Sequence, residues 1–256
     1  MAADDFLPSE TLGRLYPESA VGGFSRYDGF IEFYTRVNAL LDTDSIVLDF
    51  GAGRGLWATE PLPAASRRLR AFHERVERVV GIDVDEAVLK NPALAEARVV
   101  EPGDPIPYGD QSFDLVVADH VLEHVSEVDA PHVAGEILRV LKPGGWLAAR
   151  TPNKWGMIGL GARAVPNRLH TRFLHRLQPD RKDEDVFPVE YHMNTRRQLR
   201  RLFPAPNKVV VYGHTSEPTY FGRSTVAWRA AAFLGRLTPP PLEPTLMIFV
   251  QKAPSH

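Results

Sequence analysis

Short runs in which almost every position is apolar recur along the chain: SIVLDF at 45–50, RVVGID at 78–83, ARVVE at 97–101, FDLVVAD at 113–119 and WLAART at 146–151. Runs of this length without strict alternation predict strands buried on both faces. Between the first two, Ala65, Leu69, Phe72 and Val76 recur every three or four residues, which predicts one crossover helix with a single buried face. A second helix is predicted where Val133, Ile137, Leu138 and Leu141 share a face, with Pro131 near its start and KPGG as its stop. Strands alternating with helices argue for a parallel sheet. KVVVYG at 208–213 and TLMIFVQ at 245–251 have no equally clear helix between them and read as an antiparallel hairpin at the edge. Ahead of the sheet, Phe30, Phe33, Tyr34, Val37, Leu40 and Leu41 predict an amphipathic helix that follows the irregular YPESAVGGFSRYDG.

The expected architecture is therefore a doubly wound α/β fold with a mostly parallel seven-stranded sheet. A chain of 256 residues can bury a full core, and one domain is expected. Its parts would be an N-terminal cap at 1–44, a core at 45–152, an insert at 153–194 and the rest of the sheet at 195–256. Hydrophobic content of 44% is ordinary for a soluble protein, and no apolar stretch approaches the roughly 18 residues of a membrane span. The acidic start MAADDF lacks the basic and apolar regions of a secretory signal, so a cytoplasmic location is expected. Without cysteine, disulfides, thiolate metal ligands and cysteine nucleophiles are excluded. A net charge of −2 exerts no global pull toward nucleic acid.

The candidate chemistry starts at VLDFGAGRG, residues 47–55. If the strand ends at Phe50, then Gly51, Gly53 and Gly55 occupy the turn at the carboxyl edge of the sheet, where open α/β folds bind ligands. A dinucleotide fingerprint would need glycine where Leu56 stands, and no G-K-[ST] follows to make a phosphate-cradling loop. Asp49 precedes the turn, and Asp83 ends the next strand.

A D-x-G-x-G-x-G turn after a strand, followed by an acid at the end of the next strand, resembles the first motifs of class I S-adenosylmethionine-dependent methyltransferases. GDPIPYGDQSFDLVVADHVLEHV resembles the family's stretch through the fourth strand, and EILRVLKPGGWLAARTPN its next helix, turn and fifth strand. The resemblance covers about residues 45–153 and implies a Rossmann-like fold, S-adenosylmethionine as cofactor and methyl transfer to a small molecule. It implies that Asp49 and the main chain of Gly51 and Gly53, with Gly55, hold the methionine end, and that Asp83, beside Val84, accepts both ribose hydroxyls. Asp104, a few residues ahead of IPY, is the adenine-side acid in preference to Glu101, and Asp119 at the mouth of the fourth strand completes the cofactor set. The chemistry agrees with the chain: a sulfonium cation without phosphates calls for carboxylates and close main chain. Asp83 lies farther along than the compact family spacing, so ATEPLPAASRR is expected to add a loop before or within the crossover.

His120, facing the place of the transferred methyl, is the first candidate general base and His192 the second, a base being required chiefly when the acceptor is a hydroxyl. An oxygen acceptor on a sugar, lipid-linked or secondary-metabolite compound is expected, with nitrogen or carbon acceptors as alternatives. A methyltransferase-like module that binds without turnover is the reading from another class. HVLEH also matches the H-x-x-E-H zinc pattern, but that motif needs His120 and His124 on one face of a helix, and no metal ligand is assigned. Thr195 and Gln198 have capping-box spacing, so Asn194 and Thr195 read as a helix start. The stretch between Lys154 and Lys182 contains Arg163, Arg168, Arg172, Arg176 and Arg181, with Asp180 as its only acid. That stretch reads as a solvated face, a clamp for an anionic acceptor, or a peripheral contact with an anionic membrane.

Overall fold

The computed structural model describes residues 13–59, 61–156, 190–217 and 225–255. Seven strands, β1 (Ile46–Phe50), β2 (Arg78–Asp83), β3 (Glu96–Val99), β4 (Phe113–Asp119), β5 (Leu141–Pro152), β6 (Lys208–His214) and β7 (Thr245–Gln251), form one sheet in the order β3-β2-β1-β4-β5-β7-β6. The first five are parallel, and β7 runs antiparallel to both β5 and β6. The described α-helices are α1 (Gly29–Asn38), α2 (Leu56–Thr59), α3 (Ala64–Arg70), α4 (Ala130–Val140), α5 (Arg196–Leu202) and α6 (Thr225–Leu237). None of them is long and apolar enough to cross a membrane.

Two hydrophobic layers sandwich the sheet because side chains alternate between its faces. On one face Leu48, Val80, Val116 and Leu147 pack with Ala134, Ile137 and Val140 of α4 and Leu199 of α5. On the other, Val47, Val79, Val117 and Ala148 pack with Phe33, Tyr34 and Val37 of α1 and with Phe72. The expected helix before the sheet is thus α1, started by Asp28, whose carboxylate accepts from the N–H groups of Phe30 and Ile31 at 2.8 and 3.0 Å.

Three elements differ from the sequence expectation. The crossover is not one helix: Pro61 and Pro63 lie between α2 and α3, and Ala71 leaves helical geometry (ψ 41°) before a 3₁₀ turn at Phe72–Glu74. Phe72 is buried and Leu69 and Val76 partly so, but the residue at the centre of the buried face is Arg70. KPGG is a bulge inside β5, since Phe113 pairs with Leu141 whereas Leu115 pairs with Trp146. Gly144 takes φ +81° there, and its N–H donates to Lys252 O at 3.0 Å. The last two strands are antiparallel, yet α6 separates them and β7 lies inside the sheet. Leu246 to Val250 of β7 are all buried, as an internal strand requires, while Val210 of β6 stays 38% exposed at the edge. Of the expected insert, 157–189 lies outside the described residues, and with it the five arginines from Arg163 to Arg181.

Leu48 pairs with Val80 and Val116 and is fully buried, so Leu48→Ala leaves a cavity in the centre of the sheet. The expected loss is about 2–5 kcal/mol in denaturant unfolding, with an unchanged m-value.

Candidate active site at the carboxyl edge of the sheet

The glycine turn follows β1 and is fastened to β2, with the N–H groups of Gly51 and Ala52 donating to Ile82 O at 2.8 and 3.1 Å. Gly51 and Gly55 have φ of +76° and +68°, and a Cβ at either would lie 2.3 Å from a side-chain atom, Val121 Cγ2 and Asn91 Oδ1 respectively. Gly53 differs: at φ +54° it has no atom within 4 Å of the Cβ position, so its main chain is open to a ligand. The buried Asn91 braces the turn by donating from Nδ2 to Ala52 O and Gly53 O at 3.1 Å each. Nothing in the sequence distinguished Asn91 from a surface asparagine.

Asp83 stands beside that opening. Its two oxygens accept from Gly53 N–H at 2.8 Å and Asp85 N–H at 2.9 Å, one bond each. A carboxylate has about four acceptor positions, so both oxygens retain capacity for hydroxyl donors. Val84 next to it is 44% exposed. Asp104 is exposed in a turn, where its N–H donates to Glu101 O at 3.1 Å.

Asp49 and Asp119 face the α1 side and are part of a buried chain of charges. Arg70 donates from Nη2 to Asp49 Oδ2 at 2.9 Å, with both side chains under 10% exposed. The guanidinium lies 4.8 Å from the Tyr34 ring and 5.5 Å from the Trp57 ring. Tyr34 donates its hydroxyl to Asp119 Oδ2 at 2.8 Å, and Arg150 grips both oxygens of Asp119, from Nε and from Nη2, the latter at 3.0 Å. Burial raises the Asp49 carboxyl above the usual carboxylate range, with Arg70 opposing it. Burial would raise Asp119 as well, but the charge and hydrogen bonds of Arg150 outweigh it and hold that carboxyl well below the usual range. Both Asp119 oxygens are thus engaged within the protein. The sequence identified the two acids but missed Arg70, Tyr34 and Arg150, whose partners are distant in the chain.

His120 begins the segment after β4 in the left-handed conformation, φ +58°, and its N–H donates to Arg150 O at 3.0 Å. Its side chain is 46% exposed and its Nδ1 lies 3.1 Å from Oε1 of the buried Glu123. The other Glu123 oxygen accepts from Thr151 Oγ1 at 2.9 Å, and Thr151 Oγ1 accepts from Asn194 Nδ2 at 2.6 Å. Asn194 therefore does more than precede α5, although Thr195 does cap that helix by accepting from Gln198 N–H at 3.1 Å. His192 lies near this group, its ring nitrogens 3.7 Å from carboxylate oxygens of Glu127 and Glu190. Residues 122–124 form a single 3₁₀ turn, and His120 lies outside it, so the helix that a zinc motif needs is not formed. Among the described residues no group of three or more acidic or histidine side chains is placed to hold a metal.

An open main chain at Gly53, acceptor capacity at Asp83 and the lack of a G-K-[ST] phosphate loop fit a cationic nucleoside. The comparisons agree. Residues 48–149 match the family described as methyltransferase domain. A probable S-adenosylmethionine-dependent methyltransferase of Mycolicibacterium smegmatis is 36% identical over 132 residues, 50% of this chain and 46% of that protein. A ubiquinone biosynthesis O-methyltransferase of Paramagnetospirillum magneticum is 31% identical over 132 residues, 46% of this chain and 47% of that protein. The chain spans about half the length of these curated relatives. A crystal structure of a methyltransferase from Methanosarcina mazei shares the fold at 17% identity, with a TM-score of 0.51 over 86% of this chain and 98% of that one. Residues 48–149 of this chain thus match a methyltransferase domain, and the relatives similar over about half of the chain include S-adenosylmethionine-dependent methyltransferases.

Removing one partner of the buried Asp119–Arg150 pair leaves an uncompensated charge. Asp119→Asn is expected to cost about 3–5 kcal/mol in denaturant unfolding at neutral pH. The depressed Asp119 carboxyl stabilises the fold above the unfolded-state value of about 3.9, and that contribution is lost as pH falls below it. The gap between parent and variant therefore narrows below about pH 4, and a gap that stays constant with pH contradicts the assignment.

Proposed function

We propose that the chain transfers the methyl group of S-adenosylmethionine to a hydroxyl oxygen of a small-molecule acceptor, with His120 as general base. The observation that carries the reading is the contact between His120 Nδ1 and the buried Glu123 carboxylate at the carboxyl end of β4. A carboxylate partner holds the proton on Nδ1 and leaves Nε2 as a lone-pair acceptor. When bound, the cofactor supplies a methyl group on a positively charged sulfur, which departs as a neutral thioether upon in-line attack.

The residues of this chain hold, orient and deprotonate. Asp83 accepts the ribose hydroxyls, hydrogen bonds to a charged acceptor contributing roughly 1.5–3 kcal/mol each. The main chain of Gly51 and Gly53 lies along the methionine end, where Asp49 acts as part of its pair with Arg70, and Gly55 shapes the turn. Val84 packs on the nucleoside, and Asp104 lies toward the adenine. Asp119 is a positioning residue, because Tyr34 and Arg150 already engage its oxygens. As the acceptor oxygen forms its bond to the methyl carbon, its proton passes to His120 Nε2, and Glu123 balances the imidazolium charge. His192, flanked by Glu127 and Glu190, borders the acceptor side.

Asp83→Ala is expected to weaken S-adenosylhomocysteine at least tenfold in calorimetry; unchanged affinity overturns the site. His120→Gln should lower turnover on a hydroxylated acceptor by about 10²–10⁴-fold and remove the acid limb of the pH–rate profile. A variant that keeps both rate and profile points to a nitrogen or carbon acceptor that needs no base.

A further inference from the structure

An open groove of about 760 Å³ lies where β5 ends and α5 begins, and it is strongly cationic. Its lining includes Lys154, Arg196, Arg197 and Arg201, together with Trp155, which is 52% exposed. The charge balance of the chain gives no reason for such a cluster, since acids outnumber Lys and Arg by 32 to 30. Elsewhere on the surface Arg36, Arg78, Arg98 and Arg139 each pair with a carboxylate. In the groove, Arg197 and Arg201 have no ion pair among the described residues, although they stand one helical turn apart, where like charges repel. Arg196 donates to Pro240 O at 2.8 Å, which fixes its guanidinium at the rim. The acid near it, Glu243, is half-buried, and burial raises its carboxyl above the usual range while Arg196 opposes that shift.

The groove is linked to the base through a relay of contacts that starts at Lys154. Lys154 Nζ reaches Tyr191 O at 3.4 Å, Tyr191 N–H donates to Glu123 O at 3.4 Å, and Glu123 holds His120. Guanidinium groups lining one groove match phosphoryl oxygens, and an aromatic side chain beside them suits the flat side of a sugar or base. We propose that this groove is the acceptor subsite for a phosphoryl group, so that the acceptor is a phosphorylated small molecule. The class of acceptor rests on the methyl-transfer reading above; the anion site itself does not.

The test titrates the full chain with inorganic pyrophosphate in calorimetry at low salt, with S-adenosylhomocysteine titrated into the same samples. Pyrophosphate should bind, and the double variant Arg197→Ala, Arg201→Ala should bind it at least tenfold more weakly while its affinity for S-adenosylhomocysteine is unchanged. Arg200→Ala removes an equal charge from the same helix outside the groove, and it should alter pyrophosphate affinity by less than twofold. No binding, or an equal loss in Arg200→Ala, overturns the subsite and leaves the cofactor site standing. Phosphatidylglycerol and phosphatidylcholine vesicles form the second arm. Sedimentation with the anionic vesicles that pyrophosphate does not compete away assigns the cations to a lipid surface and overturns the small-molecule reading.

Discussion

The cleft floor depends on one buried run of opposite charges. Arg70 meets Asp49, stacks over Tyr34, and Tyr34 passes a hydrogen bond to Asp119, which Arg150 holds. These five residues come from α3, β1, α1, β4 and β5, so the chain ties the crossover and the N-terminal helix to three strands at their carboxyl ends. Burying charge is expensive, and each member is tolerated because its neighbour compensates it. The arrangement permits little sliding, because displacing any of these elements would leave a charge stranded away from water. That rigidity is what a site working by alignment needs, since in-line transfer depends on geometry more than on covalent help.

Above this floor the three glycines of one turn serve separate purposes. Gly51 and Gly55 make room for Val121 and Asn91, and Gly53 leaves room for a ligand. Asn91 and the Asp83 carboxylate brace the Gly53 peptide from two sides, so its main chain is held open. A turn that would otherwise lose considerable conformational entropy on binding is already fixed.

The carboxyl ends of β4 and β5 are organised around a second buried acid. Glu123 joins His120 to Thr151 and, through it, to Asn194, so the carboxyl ends of β4 and β5 and the start of α5 act as one body. The cationic groove begins at that body's outer rim. In the proposed reading, a base and an anion site on this common frame keep a bound acceptor at a fixed distance from the transferred group. A substrate anchored at one end reacts efficiently at the other for this reason.

Much of this was legible in the residues alone. Apolar runs located all seven strands: the five internal ones are buried on both faces and cannot be polar on either, and the edge strands β3 and β6 keep apolar residues on the face that packs. The spacing of glycines located the turn at the carboxyl edge of the sheet, because left-handed backbone and close approach leave few residue choices. Other features were not legible. Arg70 reads as one more surface arginine in RRLR, Asn91 as a loop residue and β7 as half of an edge hairpin; the sequence by itself determined the strands and the chemistry available at the sheet's carboxyl edge. Only the tertiary structure decided which charges were buried together, which strand was internal and which arginines have no ion pair among the described residues. Those properties belong to pairs of residues distant in the chain, and they exist only once packing has brought the pairs together.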